Sequence, residues 1–344
     1  MKSVLAVALQ IVALAAGAVE RHRAIALPRP IGSVIEYTVP GGTAITGLTR
    51  GPDGAVWFTA ATDFGGEIGR IGSGGDIAVA AKYSGKAGAL TTGPDGAFWI
   101  AFPGQIGRLV PGGILTFFDV RPQAGIIDVT FAGDGALWFV EASKDRIGRL
   151  TLTGELTEFP LPPSLAFTSG LAAGPDGAIW FVTPYLIGRL SPDGAITTYD
   201  PFKALNRLPT TLSDIAPGPD GNSLFVTMTG DPGVGAGDGV DGLVVRVSIQ
   251  GDVSTVVPIP FPLYPNVLIR GDDAYYTSDC VCARFQRIRS IVSRIVDGVV
   301  TKRYDMLVEI NGLKYVSTMA QGADGNIWAA YGGQFPIIVK LVLH

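Results

Sequence analysis

Few side chains in this sequence can carry out proton chemistry. The 344 residues include two histidines, His22 and His344, and two cysteines, Cys280 and Cys282. A histidine general acid or base contributes about 10²–10⁴-fold to a reaction rate, so its scarcity argues against histidine-based catalysis. A structural zinc ion takes four cysteine or histidine ligands, and this set does not supply them at a suitable spacing.

Four residues with oxygen donors are candidates for a cation site. Asp128, Asp214 and Asn266 occupy equivalent positions in three copies of a repeat described below, and Glu141 follows the aromatic pair of another segment of it. Carboxylate and amide oxygens suit Ca²⁺ or Mg²⁺. We therefore expect these four side chains near one another as metal ligands. The alternative is that they bind neighbouring backbone groups and water.

Two further segments carry opposite charges. A glycine-rich stretch over residues 229–242 contains Asp231, Asp238 and Asp241. A later, basic segment contains Arg284, Arg287 and Arg289. We expect both stretches to be loops on one face of the molecule. They would either pair with each other or form a charged rim for an anionic ligand.

The two cysteines belong to the basic segment. In an extended strand, Cys280 and Cys282 would lie on the same side with Cα atoms about 6.5 Å apart. A strained local disulfide is feasible at that distance. The sequence predicts this disulfide in an oxidising compartment, with two free thiols as the alternative.

The N-terminus resembles a secretory leader. A positive start at Lys2 precedes an apolar run of thirteen residues, 4–16, interrupted only by Gln10, and an Ala-x-Ala pattern that ends at Ala18. A run of thirteen residues falls short of the ~20 that cross a bilayer. We predict a signal peptide over 1–18, a lead-in over 19–30, and a secreted or periplasmic protein.

A repeat organises the rest of the chain. Gly-Pro-Asp-Gly-Ala followed by an apolar residue and Trp begins at Gly51, and six related copies follow it. Each copy is followed by a second motif of the type Ile-Gly-Arg, such as Ile68-Gly69-Arg70. The positions equivalent to Trp57 recur 39 to 53 residues apart, and all are aromatic except Leu224: they are 57, 99, 138, 180, 224, 275 and 328.

These marks predict the fold. Each unit contains four short strands, with Asp-Gly as a hairpin turn of the primed type. Four strands per unit of 40–50 residues are typical of a β-propeller. The last unit lacks a fourth strand, and residues 33–40 match the missing pattern. The prediction is an all-β, seven-bladed β-propeller over 31–344, in which an N-terminal strand completes the last blade.

The composition limits the partners. The net charge is −4, and no basic cluster dominates a long stretch, so we do not expect binding to nucleic acid. We expect a monomer without a membrane span in its mature part. The repeated tryptophans and arginines are predicted to be core residues, with each arginine covering a tryptophan.

The motif set resembles the streptogramin B lyase (virginiamycin B lyase) family over nearly the whole mature chain. The resemblance implies a seven-bladed propeller and an Mg²⁺-dependent elimination that opens the cyclic depsipeptide of type B streptogramins. It also implies a histidine acid–base and acidic residues at the ends of the strands. Here Glu141 alone keeps an acidic residue after the aromatic pair, and the two histidines match no blade motif.

Two functions are therefore open. The first is binding of a small ligand or partner on the face with the long loops, without lyase chemistry. The second is a metal-dependent enzyme that uses Mg²⁺ or Ca²⁺, either a streptogramin-lyase-like C–O lyase or a lactonase-like hydrolase. Whether a divalent ion binds at the mouth of the central channel would separate the two.

Overall fold

The computed structural model describes most of the repeat region. The described residues are 21–22, 34–122, 124–141, 146–166, 168–207, 209–229, 242–259, 267–270, 273–282, 287–296, 299–307, 316–331 and 336–343. The predicted leader, 1–18, lies outside them. No helix among these residues has the length and apolar character required to cross a membrane.

The first half of the chain folds into short strands, as the glycine-rich turns predict. They are β1 (Arg21–His22), β2 (Val34–Thr38), β3 (Ala44–Arg50), β4 (Val56–Thr62), β5 (Gly65–Ile71), β6 (Ile77–Tyr83), β7 (Leu90–Thr92), β8 (Phe98–Phe102), β9 (Gln105–Leu109), β10 (Leu115–Asp119), β11 (Ile126–Phe131), β12 (Leu137–Glu141), β13 (Arg146–Leu150) and β14 (Leu156–Pro160).

The second half continues this pattern, with a 3₁₀ turn at Pro163–Leu165 and one short helix. Its elements are β15 (Gly170–Ala173), β16 (Ile179–Val182), β17 (Ile187–Leu190), β18 (Ile196–Tyr199), α1 (Pro201–Ala204), β19 (Leu212–Pro217), β20 (Ser223–Met228), β21 (Gly242–Ser248), β22 (Val253–Ile259), β23 (Val267–Arg270), β24 (Asp273–Cys282), β25 (Arg287–Val296), β26 (Val299–Leu307), β27 (Val316–Gln321), β28 (Ile327–Tyr331) and β29 (Ile337–Leu341).

The strands form antiparallel sheets around a ring. The innermost strands contact one another in the order β3, β7, β11, β15, β19, β23, β27 and again β3. Strands β3–β6, β7–β10, β11–β14, β15–β18, β19–β22 and β23–β26 follow one another outward in their sheets. The all-β propeller architecture predicted from the sequence is confirmed.

The predicted seven-bladed propeller is wrong. The described strands form six four-stranded blades, and the sheet with the first repeat departs from that pattern because it has five strands in the order β1-β6-β5-β4-β3. The extra strand comes from Arg21–His22, in the predicted lead-in, which pairs with Ala78 and Ile77 of β6. An outer strand leaves unpaired backbone groups at its edge, and an extended segment can bind there.

The N-terminal strand β2 closes the ring, as expected. It pairs with β29 from Val34 opposite Leu341 to Thr38 opposite Ile337. The ring of Tyr37 stacks on Trp328, with centroids 5.6 Å apart. The last sheet is therefore built from both ends of the repeat region.

Large apolar side chains fill the spaces between neighbouring sheets. Trp57 of β4, for example, stacks on Phe98 of β8 with ring centroids 4.1 Å apart. Trp99, Trp180 and Trp328 are almost completely buried. The predicted core role of the repeated tryptophans is confirmed.

The turn aspartates of the first four repeats have a larger role than the sequence suggested. Asp134 Oδ1 accepts hydrogen bonds from the Ala136 amide at 3.1 Å and from Trp138 Nε1 at 3.3 Å, and Oδ2 accepts one from Arg149 Nε at 2.7 Å. One carboxylate thus joins the turn to the second and third strands. The same links occur at Asp53, Asp95 and Asp176.

The turns themselves differ from the predicted primed type. Gly54, for example, has a φ of 79°, and its amide donates to the carbonyl of Gly51. Among the described residues other than glycine, Asn206 alone has a positive φ, so the turn aspartates do not adopt one. The loop is a turn followed by one left-handed glycine, as in longer hairpin connections.

Candidate functional site

The two faces of the ring carry different connections. The Asp-Gly turns lie on one face, and the links between second and third strands lie on the other, together with the links between sheets. We call the second one the long-loop face. The innermost strands begin there, at what we call the channel mouth.

Asp128 and Asp214 lie at equivalent positions near the channel mouth. Each follows an irregularity in its inner strand, between Ile126 and Asp128 in β11 and between Leu212 and Asp214 in β19. A β-bulge redirects the side chains that follow it. Two strands on either side of β15 therefore present their carboxylates in the same way.

Backbone amides position the Asp128 carboxylate. Oδ1 accepts a hydrogen bond from the Val129 amide at 2.9 Å, and Oδ2 accepts one from the Leu171 amide of β15 at 3.0 Å. Burial raises the pKa of Asp128 to about 6, although these two hydrogen bonds lower it. The carboxylate is therefore mostly ionised at neutral pH and is protonated in mild acid.

Gly170 separates the two carboxylates. A Cβ atom at this position would lie 3.4 Å from Asp214 Oδ1 and 3.8 Å from Asp128 Oδ2. Both carboxylates therefore approach the point that a side chain at 170 would occupy. The arrangement can accept hydrogen bonds from a ligand or hold a positive group between β11 and β19.

Glu141 has a different environment. Its side chain is completely buried at the end of β12, and neither carboxylate oxygen has a hydrogen-bond partner among the described residues. Burial and the neighbouring Glu158 raise the pKa of Glu141, and Arg121 and Arg146 lower it. Arg121 and Arg146 form ion pairs with Glu158. Glu141 thus belongs to a charged cluster with Glu158, Arg121 and Arg146.

The predicted ligand set is only partly assembled. Asp128 and Asp214 lie together, while Asn266 lies outside the described residues. Within the described part of the chain, no three histidine, cysteine or acidic side chains form a group that could hold a metal ion. Glu141 therefore does not join the two aspartates.

Most residues of the predicted charged rim lie outside the described part of the chain. Asp231, Asp238, Asp241 and Arg284 lie outside the described residues. Cys280 and Cys282 belong to strand β24, and Arg287 and Arg289 to strand β25, rather than to a loop as expected. These strands have ten residues each, so the hairpin continues beyond the blade.

The sequence analysis missed two exposed aromatic side chains on the long-loop face. Phe64 is 99% exposed between β4 and β5, and Tyr185 is 58% exposed between β16 and β17. Phe64 precedes Gly65 and Tyr185 follows Pro184, each in a short link between strands. An aromatic residue beside glycine or proline in such a link could have been predicted to be exposed. Exposed aromatic side chains on the face with the channel mouth offer apolar contacts to a ligand.

Known proteins share the sequence pattern and the architecture. The sequence model described as the virginiamycin B lyase family matches residues 76–259, more than half of the chain. The chain belongs to the virginiamycin B lyase family. The family resemblance inferred from the repeat motifs is therefore confirmed.

Curated relatives in this family match over shorter stretches. A virginiamycin B lyase of Nocardia farcinica is 34% identical over 132 residues, which cover 38% of this chain and 42% of that protein. A virginiamycin B lyase of Bordetella parapertussis is 43% identical over 61 residues, which cover 17% of this chain and 20% of that protein. The chain thus spans about a fifth to two fifths of the curated relatives it matches.

Solved structures of the family cover most of the chain. The virginiamycin B lyase of Staphylococcus aureus superimposes with a TM-score of 0.69 at 22% identity, covering 90% of this chain and 99% of that one. A catalytically inactive histidine-to-alanine variant of the enzyme, in complex with quinupristin, gives 0.69 at 23% identity with the same coverage. At these identities the likeness shows the fold.

Proposed function

We propose that this protein binds a small ligand at the channel mouth on the long-loop face. The observation that supports this most directly is the approach of the Asp128 and Asp214 carboxylates to Gly170. Two acidic groups with a gap between them favour a ligand with an amino group or several N–H donors. The exposed rings of Phe64 and Tyr185 add apolar contacts on the same face.

The ligand class is proposed from the family. A structure of the Staphylococcus aureus enzyme contains quinupristin. We propose that the present protein binds compounds of this kind, or other cyclic peptides, without the histidine-dependent reaction. Its histidines lie at positions 22 and 344, and neither falls within a blade motif.

Isothermal titration with quinupristin tests the binding site. We expect Asp128→Asn and Asp214→Asn each to weaken binding at least about tenfold, because each removes a charge that faces the ligand. Asp193→Asn, in the exposed turn between β17 and β18 on the opposite face, is the matched control. Absence of binding by the unmodified protein, or equal binding by all variants, would contradict the proposal.

Family membership favours a second candidate, a metal-dependent lyase or lactonase. The donor chemistry of Asp128 and Asp214 suits Mg²⁺ or Ca²⁺, and these two residues would hold the ion. A bound ion would supply a Lewis acid near the channel mouth. Two carboxylates are fewer than the six or more donors such ions take, so water or further residues would complete the set.

Product analysis distinguishes the two reactions from simple binding. Elimination leaves the mass of quinupristin unchanged but alters its retention on a column, whereas hydrolysis adds the mass of one water. We expect quinupristin to stay intact after prolonged incubation with Mg²⁺. Ring opening that Asp214→Ala abolishes would replace the binding proposal with the enzymatic one.

The metal can be tested separately. If Mg²⁺ or Ca²⁺ binds, its addition should raise the melting temperature of the unmodified protein but not that of Asp214→Ala. Equal melting curves with and without either ion would rule out the metal.

We also propose that the protein is exported, because residues 1–18 have the pattern of a leader. N-terminal sequencing of the protein from its native host should begin at Val19. Detection of the intact N-terminus would contradict export by this route.

A further inference from the structure

A completely buried carboxyl lies in the crevice between the second sheet, β7–β10, and the third sheet, β11–β14. Alternate residues of a strand lie on opposite sides of its sheet, so Glu141 of β12 lies on the same side as Leu137 and Phe139. Those two side chains pack in an apolar cluster with Trp99 of the second sheet. Neither oxygen of Glu141 accepts a hydrogen bond from a described residue, so an ionised Glu141 would be costly there.

Three charged side chains surround Glu141. Arg146 of β13 lies directly opposite it, and Glu158 of β14 lies on the same side of the sheet, opposite Gly148 of β13. Arg121 comes from the link between the second and third sheets. Among the described residues, these three are the charged groups that act on Glu141, and residues 142–145 lie outside that part of the chain.

Both arginines pair with Glu158 and leave Glu141 without a cation. Arg121 donates from Nε and Nη2 to the two carboxylate oxygens of Glu158. Arg146 Nη1 lies 3.4 Å from Glu158 Oε2. The hydrogen bonds from Arg121 lower the pKa of Glu158, so this carboxyl is held in its ionised form.

The contact between the two glutamates requires a proton. The carboxyl groups of Glu141 and Glu158 lie within hydrogen-bond reach of each other. An ionised carboxylate accepts hydrogen bonds but donates none, so one of the two groups must carry a proton for this bond to form. Since the arginines hold Glu158 ionised, the proton belongs on Glu141.

We propose that Glu141 and Glu158 share one proton, carried by Glu141, and that the pair forms a pH-sensitive latch between the second and third sheets. The latch does not depend on the proposed ligand site. Asp128 of that site lies on the other side of the third sheet, where it accepts a hydrogen bond from the Leu171 amide.

Loss of the proton should loosen the link between the two sheets. The amides of Val120 and Arg121 donate to the carbonyl of Gly104 at 2.9 and 3.2 Å, and the Arg121 side chain holds Glu158. Without the proton, two carboxylates lie side by side and repel each other. The ion pair that ties the link to the third sheet is then disturbed, and we expect the link to open more often.

The pH dependence has a defined sign. In the unfolded chain Glu141 ionises at the ordinary pKa of 4.5, whereas burial and Glu158 raise its pKa in the folded protein. Between these two values the folded chain holds more protons than the unfolded one, so rising pH lowers the free energy of unfolding. Glutamine at position 141 donates the same hydrogen bond but has no proton to lose, so Glu141→Gln should remove this dependence.

Carbon-13 NMR of the full chain, labelled at the glutamate Cδ atoms, follows each carboxyl directly, and Glu141→Gln assigns its signal. We expect Glu141 to titrate above the ordinary glutamate value and Glu158 below it. In Glu158→Gln the Glu141 midpoint should fall, because the neighbouring charge is gone and Arg146 is free to pair with Glu141. An ordinary Glu141 midpoint in the unmodified protein, or a raised one that Glu158→Gln leaves in place, would overturn the proposal.

Thermal unfolding tests the shared proton without disturbing the arginines. We expect Glu141→Gln to raise the melting temperature by about 2 °C or more at about pH 8 and to change it little at about pH 4. Glu155→Gln, in the exposed turn between β13 and β14, is the matched control for charge and should show no such dependence. An effect of Glu141→Gln that is the same at both pH values would contradict the shared proton.

Hydrogen exchange tests the latch itself. After correction for the ordinary pH dependence of exchange, the Val120 and Arg121 amides should exchange several-fold faster as Glu141 ionises. The same amides should show no such change in Glu141→Gln. Corrected exchange that does not respond to pH in the unmodified protein, or responds equally in both proteins, would overturn the latch.

Discussion

Gly170 shows how one missing side chain shapes the proposed binding site. It lies between Asp128 and Asp214 on three neighbouring inner strands, and a Cβ there would lie 3.4 and 3.8 Å from their carboxylate oxygens. Contacts of this length are ordinary or only slightly tight, so the fold itself tolerates a methyl group. A substitution at position 170 therefore tests the proposed ligand site with little effect on the fold.

We predict that Gly170→Ala leaves the melting temperature nearly unchanged but weakens binding of quinupristin about tenfold, because the methyl group occupies the gap. Thermal unfolding and isothermal titration measure the two effects. Equal loss of stability and binding would mean that the substitution acts on the fold, and unchanged binding would place the ligand elsewhere.

At the scale of elements, the described turns that follow the inner strands each depend on one glycine with a positive φ. In the third repeat, Gly135 has a φ of 73° and Gly133 does not have a positive φ, although a methyl group at either position would meet no atom within 4 Å. The two glycines of one turn thus differ in backbone conformation and not in available space.

We predict that Gly135→Ala lowers the free energy of unfolding by about 1 kcal/mol, because an L-residue is strained in the left-handed region. Gly133→Ala is the matched control and should change it by less than about 0.5 kcal/mol. Urea denaturation measures both values. Equal effects of the two substitutions would show that φ does not govern this turn.

At the scale of the whole molecule, the seam between the last and first sheets keeps the ring closed. Lys340 of β29 forms an ion pair with Asp324 at 2.8 Å, and its Nζ donates to the carbonyl of Ser73 at 2.9 Å. Its side chain is mostly buried and passes over the ring of Trp328. One cation therefore connects the two ends of the ring.

We predict that Lys340→Met lowers the free energy of unfolding by about 2 kcal/mol, because Asp324 loses its partner and the seam loses a hydrogen bond. Lys86→Met, at an exposed site between β6 and β7, should have little effect. Urea denaturation compares them. If Lys340→Met left the free energy of unfolding unchanged, the pairing of β2 with β29 would suffice to close the ring.

The turn aspartates also predict how the whole molecule responds to acid. Burial alone would raise the pKa of Asp95, Asp134, Asp176, Asp220 and Asp324, but hydrogen bonds from arginine or lysine and from neighbouring groups lower it. The unfolded chain binds protons at these sites first as the pH falls. Their contribution to stability is therefore present above about pH 4 and is lost below it.

We predict a steep fall in the free energy of unfolding below about pH 4, with each carboxyl contributing at most about 1.4 kcal/mol per pH unit. Asp176→Asn should give a shallower slope over the same range. Urea denaturation from about pH 2.5 to about pH 7 measures both slopes. Identical slopes would mean that Asp176 does not titrate differently in the folded protein.

Much of the fold could be predicted from the sequence because the repeat is local. Asp-Gly turns, apolar strands and the position of each tryptophan depend on neighbours within one unit. The pairing of β2 with β29 was also predictable, since the last unit lacked a strand and residues 33–40 supplied one. Pairing of Arg21–His22 with β6 was not, since those two residues carry no strand pattern of their own.

The candidate site was less predictable. Counting along the repeat placed Asp128 and Asp214 correctly on inner strands, but it placed Glu141 with them. The Asp128 carboxylate accepts a hydrogen bond from the Leu171 amide of the following sheet, whereas Glu141 lies beside Arg121 and Glu158. A sequence position near a strand end does not tell which side of the sheet a side chain occupies when a bulge intervenes.

The sequence by itself determined the repeating unit, the positions of its turns, its aromatic core and its family, because these follow from periodic residues that interact within a unit. The tertiary structure decided that the Asp128 and Asp214 carboxylates approach each other on either side of β15, and that the first sheet has a fifth strand. Such features depend on register and on contacts between distant residues, which spacing along the chain does not encode.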